Sequence, residues 1–200
     1  AVARREQWPE LEVEALWLLG EAHQKSARLD EAHTHLEEAQ VLADRLSLPR
    51  LQQELLATRA MLRMKRGNQR DAEPLLRQIL SQPVHRDAPT VQLSALLNLA
   101  SITRLSGRLE AAEQHAQEAV AKGKEQGCLD VVSHGLLILG MLASQRGDHR
   151  LSEARIRESL LIAHRAGKFH AIALIWNSLG DVARRQHRLA LAEERYRTSM

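Results

Sequence analysis

The sequence predicts an all-α protein, a solenoid of five antiparallel helix hairpins repeating every forty residues. Three observations predict it. Small residues recur in one slot at Gly20, Ala60, Ala100, Gly140 and Gly180. A second small series follows at Ala32, Ala72, Ala112, Ser152 and Ala192, and a third at Ala39, Ala119, Ser159 and Ser199, where only Ile79 breaks the pattern. Larger apolar residues keep the same spacing. They are Leu16, Leu56, Leu96, Leu136 and Trp176, then Leu19, Leu99, Leu139 and Leu179, and, with Ala116 as the small exception, Leu36, Leu76, Ile156 and Tyr196; Arg59 is out of character. Self-similarity at a fixed period of this length marks stacked units, none of which can bury its apolar face alone. The composition, 44% hydrophobic and 26% charged with five prolines, suits a soluble helical protein.

Taken in order, Ala1 to Glu6 align with Val41 to Leu46, the end of a second helix, so the chain is expected to open in the tail of a preceding repeat of a longer protein. The repeats then run about 9–48, 49–88, 89–128, 129–168 and 169–200, as one array. Pro9, Pro49 and Pro89 suit the first turn of a helix, where a fixed φ helps and the missing N–H costs nothing. In the first hairpin, helix A is expected from about Pro9 to Ser26 and helix B from about Leu29 to Leu46. The second repeat is irregular: Gly67 and Asn68 mark its turn, but Pro74 falls where helix B should be under way. Either Asp71 caps a late-starting helix with Pro74 in its first turn, the favoured expectation, or the helix is kinked at Pro74. Pro83 then ends a short helix, and Pro83 to Pro89 forms the longest loop. Repeats three and four turn at Gly107 and Gly147 and exit near Gly127 and Gly167, which read as C-terminal caps. Helix B of the fifth repeat leaves Leu189, Leu191, Tyr196 and Met200 for a neighbour to cover, either a further repeat or a second molecule associating through this end.

The run L-x2-LG followed by A-x3-[L/Y]-x2-[A/S], present as Leu16, Leu19, Gly20, Ala32, Leu36 and Ala39 and again as Trp176, Leu179, Gly180, Ala192, Tyr196 and Ser199, resembles the tetratricopeptide repeat. Two features depart from it: the period is forty rather than about thirty-four, and the usual aromatics are mostly leucine and alanine. The resemblance implies a right-handed superhelix with the A helices on its inner wall. The longer leucine-rich form is similar to the repeat domain of the large ATP-dependent LuxR-family regulators. That likeness implies a signal-sensing module of a bacterial transcription regulator. No GxxxxGK[ST] phosphate loop is present, and related long repeats occur in kinases, cyclases and ATPases.

With the glycine slot packed against helix B, residues one after it, and three or four to either side, point into the groove. That face reads Trp17, Glu21, Gln24 and Lys25, then Met61, Met64 and Lys65. It continues with Leu97, Ser101 and Arg104, then Leu137, Met141 and Ser144, and ends with Asn177, Asp181, Arg184 and Arg185. Methionine is polarizable and tolerates varied partners, so an apolar middle with basic residues beside it suits a peptide or amphipathic helix. The alternative is that these methionines fill the core.

Other chemistry finds no support in the pattern. Ten histidines show no HExxH spacing, the single Cys128 no CxxC, and His33 and His35 lie on different helix faces, so no metal is expected. No nucleophile elbow or catalytic glycine loop is present, so neither an enzyme nor a cofactor is expected. The net charge is +3, with the basic excess in the second half and its densest group at Arg184, Arg185, Arg188, Arg195 and Arg197. Few aromatics for stacking speak against nucleic acid, with an acidic peptide or neighbouring domain as the alternative partner. The ordinary reading of these charges is solvated helix faces laced with i,i+4 pairs such as Glu153 with Arg157. A lone cysteine and the lack of a signal peptide or a run of about eighteen apolar residues point to the cytoplasm rather than a membrane. The functional expectation is recognition of a protein or peptide partner by a sensing module, a general adaptor scaffold, or a small-molecule effector domain.

Overall fold

A computed structural model of the chain describes residues 8–83 and 88–199. Among them there is no strand, and ten helices follow in order: α1 (Pro9–Lys25), α2 (Leu29–Arg45), α3 (Pro49–Lys65), α4 (Gln69–Ser81), α5 (Thr90–Leu105), α6 (Leu109–Glu125), α7 (Leu129–Gln145), α8 (His149–Arg165), α9 (Phe169–Arg185) and α10 (Leu189–Thr198). The described residues gather into two compact units divided between Ala95 and Leu96, inside α5. In the first unit α1 packs on α2, α2 on α3 and α3 on α4, while α1 also touches α3. The second unit repeats this: α7 lies between α6 and α8, α9 between α8 and α10, and α7 touches α9. Within each unit, therefore, the A helices of successive hairpins stand side by side on one wall. The expected tail of a preceding repeat, 1–6, and Met200 lie outside the described residues.

The repeat length has a simple origin. Seven of the ten helices have seventeen residues, and three-residue connections join the regular ones. Each of these connections has one residue in the left-handed region. Gly67, Gly107 and Gly147 turn A into B, and Gly127 and Gly167 turn B into A, with φ between 66° and 84°. The next N–H then reaches back to the carbonyl five residues earlier, as Asn68 N does to Arg63 O at 2.9 Å and Asp148 N to Ala143 O at 3.0 Å. This ties off carbonyls the helix leaves open, and glycine permits it because it has no Cβ to clash. Ala27, Ser47 and His187 adopt the same conformation without that relief.

The small slot is a steric necessity. A Cβ on Gly20 would stand 2.7 Å from Leu36, one on Gly140 2.5 Å from Ile156 Cγ1 and 3.1 Å from the Ser152 carbonyl, and one on Gly180 2.4 Å from the Tyr196 ring. Each glycine thus receives the side chain sixteen residues later. Leu36 and Ile156 are fully buried as a result. Tyr196, expected to await a neighbour, is instead half-buried on Gly180, whereas Leu189 is exposed. The residue before the slot faces the preceding B helix, as Leu139 does where it packs on the cluster that includes Val120. Arg59 meets the same demand by an ion pair, its Nη2 donating to Glu37 Oε1 at 2.8 Å and its Nη1 to Gln40 Oε1 at 3.4 Å.

The second repeat corrects one expectation. Helix α4 begins at Gln69, in register with the others, and Asp71 does not cap it; Pro74 lies inside the helix. Register prevails because Ala72, Leu76 and Ile79 are fully buried only if the helix starts there. Pro74 is exposed, so the Arg70 carbonyl it cannot satisfy can turn to water. The helix does end early, at Ser81. Side chains close it: Gln92 Nε2 donates to Gln82 O at 2.6 Å, and Gln53 Nε2 to Pro83 O at 2.8 Å. Residues 84–87 of the expected loop lie outside the described residues.

Two hypotheses about stability follow from this packing. Gly140→Leu has no space against Ile156 and is expected to cost about 1–3 kcal/mol or more; a variant that melts like the parent would show that the slot is not a contact. Pro74→Ala restores an N–H in the middle of α4 and is expected to stabilise the chain by about 1–3 kcal/mol. A denaturant midpoint that stays level or falls would show that the proline carries no helix penalty.

Candidate partner-binding groove

In the first unit the expected face is held together by contacts between residues forty-one apart. Trp17, half-buried, donates its indole Nε1–H to Thr58 Oγ1 at 2.9 Å, and Thr58 Oγ1 donates in turn to Glu54 O at 3.0 Å. Lys65 Nζ approaches Gln24 O at 3.5 Å. Both contacts tie α1 to α3, so Trp17, Gln24 and Lys65 share one wall. Lys25 is exposed and paired with Glu21 at 3.3 Å, and Met61 is exposed. Met64 is half-buried. Gln24 lies beneath the surface, with its Nε2 unpartnered. Next to these residues Arg50 hydrogen-bonds Glu14 and approaches Glu54 at 3.5 Å and Glu10 at 3.9 Å. Its pKa is raised by the Glu14 hydrogen bond against the opposing effect of burial.

The second unit forms a concavity on its own A-helix face. Arg104, Met141, Ser144, Gln145, Ile156, Ser178, Asp181, Val182 and Arg185 line a recess of about 190 Å³. Five of them, Arg104, Met141, Ser144, Asp181 and Arg185, belong to the face read from sequence. Leu97 and Leu137 are buried below it, Ser101 is half-buried, and Asn177 and Arg184, which flank Asp181 in sequence, are both exposed. Sequence reasoning missed Ser178 and Gln145, which sit one residue after Asn177 and Ser144. The signal was present, since the equivalent of Ser178 in the first unit is Thr58, one forty-residue step on from Leu18, and it receives the Trp17 hydrogen bond.

The electrostatics of this recess are uneven. Asp181 Oδ1 accepts from Tyr196 Oη at 2.8 Å and pairs with Arg184 at 3.4 Å. Among the described residues Arg104 and Arg185 form no ion pair, and Arg104 Nε, buried, has no hydrogen-bond partner. Burial, and after it the charge of Arg185, lowers the Arg104 pKa. Ser144 is 7% exposed with its hydroxyl unpartnered, whereas Ser178 Oγ donates to Leu174 O at 3.0 Å. Met141, Ile156 and Val182 supply the apolar floor.

The basic group near the C-terminal end divides. Arg184, Arg185, Arg188 and Arg197 are on the surface, but Arg195 is buried and turned inward. Its Nη1 donates to Leu179 O at 3.0 Å and its Nη2 to Glu153 Oε1 at 2.6 Å. The pair Glu153 and Arg157, expected from i,i+4 spacing, is present at 2.8 Å, so one carboxylate serves two guanidiniums. Burial pushes the Glu153 pKa up, but the Arg195 hydrogen bond and the charges of Arg195 and Arg157 outweigh it, and the net shift is down.

A second, larger recess of about 550 Å³ lies between α6, α7 and α8 and includes Val120, Leu136, Leu139, Leu142 and Leu151. Its Arg146 is neutralised by Glu113 at 2.6 Å. Among the described residues no cluster of three or more His, Cys, Asp or Glu side chains could hold a metal, and no helix is long and apolar enough to cross a membrane. His23 and His35 stack with ring centroids 5.2 Å apart.

The fold so described is of the tetratricopeptide-like helical repeat class. Solved structures share it: the chain is 19% identical to BtubC (BKLC) from P. vanneervenii, with a TM-score of 0.76 over 99% of this chain and 82% of that one. A putative kinesin light chain with nearly identical TPR-like repeats from Podosopora anserina matches at 13% identity with a TM-score of 0.65, over 94% of this chain and 92% of that one. A tetratricopeptide repeat protein from Parabacteroides merdae matches at 15% identity and a TM-score of 0.56, over 92% of this chain and 77% of that one. No protein-family model matches the chain, and no curated protein does either.

The Glu153 site yields a prediction with a definite sign. A carboxyl whose folded pKa is depressed stabilises the fold above its unfolded pKa, about 4.3, and that stabilisation is lost as pH falls through the folded pKa. Glu153→Gln is therefore expected to be less stable than the parent at pH 7, by about 1–3 kcal/mol, with the difference closing under acid. Urea unfolding of both proteins from pH 7 to pH 3 checks this; a difference that stays constant would remove the ion pair from the explanation.

Proposed function

We propose that the chain is a non-catalytic recognition module whose A-helix face binds an acidic peptide or amphipathic helix of a protein partner. The observation that carries this reading is the second unit's recess, where Arg104 and Arg185 stand without an acidic partner among the described residues, above an apolar floor containing Met141. Uncompensated guanidiniums beside apolar surface suit a ligand that brings carboxylates and aliphatic side chains together. The A-helix recess, at about 190 Å³, is smaller than the roughly 300–1,000 Å³ usual for small-molecule sites, which favours a peptide over a free effector there. The larger B-helix recess has the size for an effector, but its Arg146 is already neutralised by Glu113. Within this reading we place the chain as a signal-sensing module of a bacterial transcription regulator, supported by the forty-residue leucine-rich repeat; a general adaptor scaffold is the second reading. Self-association through the exposed Leu189 face is a further proposed partner mode.

Selection of a displayed peptide library on the intact chain tests the groove. Acidic sequences with interspersed aliphatic residues are expected to enrich, and Arg104→Glu combined with Arg185→Glu should weaken them at least tenfold, about 1.4 kcal/mol. If the charge-reversed protein selects the same peptides with the same affinity, this face is not the binding site.

A further inference from the structure

Arg104 is half-buried yet has no carboxylate among the described residues, and the neighbouring cation, Arg185, comes from a different A helix. Several other guanidiniums in the same unit are compensated, Arg146 by Glu113, Arg157 and Arg195 by Glu153, and Arg197 by Glu193, whereas the exposed Arg150, Arg165 and Arg188 are left to solvent; what sets Arg104 apart is that it is half-buried without a carboxylate. A third feature points the same way. Ser144, more than nine-tenths buried, lines the recess with a hydroxyl that has no partner. Two uncompensated planar cations and an unused hydroxyl donor in one concavity form the donor set of an oxyanion site.

Charge decides which oxyanion. Among the described residues lining the recess the only carboxylate is Asp181, whose Oδ1 is already engaged by Tyr196 and by Arg184 outside it, so the charges of Arg104 and Arg185 stand in excess. A phosphate monoester, carrying about −1.5 to −2 at neutral pH, matches that excess better than a single carboxylate does. Its tetrahedral oxygens can also meet two guanidinium forks and a hydroxyl at once. We infer that the recess between Arg104, Ser144 and Arg185 is a phosphate-binding site that takes a phosphate monoester. The inference rests on the groove reading and deepens it by naming the group the groove recognises. The phosphate can come from a phosphorylated side chain of the partner or from a small phosphate ester. Closing two repelling cations on a dianion relieves the depression that burial and Arg185 impose on Arg104.

Isothermal titration of the full chain at constant ionic strength tests this with inorganic phosphate, O-phosphoserine, a phosphoserine peptide of acidic and aliphatic composition, serine and acetate. Saturable binding is expected for the three phosphate probes and none for serine or acetate. Arg104→Gln and Arg185→Gln should each weaken phosphoserine binding at least tenfold and Ser144→Ala severalfold, whereas Arg197→Gln, a paired and exposed control, should leave it unchanged. Arg185 is exposed, so its variant carries the test if Arg104→Gln or Ser144→Ala disturbs folding, which circular dichroism melts will show. A peptide that binds more tightly than free phosphoserine identifies a phosphorylated partner; equal binding identifies a small ester; both uphold the site. Absence of saturable phosphate binding, acetate binding as tightly as phosphate, or affinity unaltered in both arginine variants would overturn it. Loss of peptide selection in the charge-reversed protein without any phosphate response leaves the groove standing and removes only this inference. Phosphate binding without peptide selection does the reverse.

Discussion

The closure of each hairpin over a residue with little or no side chain is the constraint from which the rest follows. Gly20, Gly140 and Gly180 admit Leu36, Ile156 and Tyr196 to a depth that a single methyl group would forbid. Helix axes at such contacts stand about 8–10 Å apart. Once the pair is this close, the opposite face of each helix is turned outward toward its neighbours in the array. Helices α7 and α8 make the same approach with polar groups. Ser133 and Ser159 exchange hydroxyl-to-carbonyl bonds at 3.0 and 2.7 Å, so two small buried alcohols are satisfied without widening the contact.

That closure also explains how residues a full repeat apart come to act together. With the B helices committed to the core, successive A helices meet directly, and residue i of one reaches residue i+41 of the next, as Trp17 reaches Thr58 and Gln24 reaches Lys65. The recess in the second unit has the same origin: Met141 and Ser144 from α7 meet Asp181 and Arg185 from α9, and Arg104 from α5 joins them. Carboxylates settle most of the resulting cations, and where one is lacking the guanidinium remains available to a ligand.

Much of this was legible in the sequence, for reasons of differing strength. The slot, the turns at Gly67, Gly107 and Gly147, and the exits at Gly127 and Gly167 were readable because sterics at a close contact or a left-handed turn tolerate few residues. The turns at Ala27, Ser47 and His187 were not, since those residues bear strain there that only the surrounding fold repays. The start of α4 was misread because a local rule about proline was weighed without the burial of Ala72, Leu76 and Ile79, which outweighs it. Depth within the groove was also beyond the pattern. Gln24, Leu97, Leu137 and Ser144 share the face with Met61 and Asp181 but lie beneath it, because small rotations of a packed helix decide which side chain the neighbouring A helix covers. Arg195 was grouped with a surface patch by proximity in sequence, while its partner Glu153 lies forty-two residues away, where charge counting does not look.

The short α4 shows how the module keeps time. It gives up about one helical turn, thirteen residues against seventeen, yet α5 opens at Thr90, within one position of where an undisturbed array would begin it. What the helix surrendered, the connecting segment took up almost residue for residue, and side chains from α3 and α5 pinned the seam through Gln53 and Gln92. Phase is thus conserved separately from helicity: the chain can trade coil for turn inside one repeat without shifting the contacts of those after it. Variation in such a protein has latitude where a helix ends and very little in the spacing between its glycines.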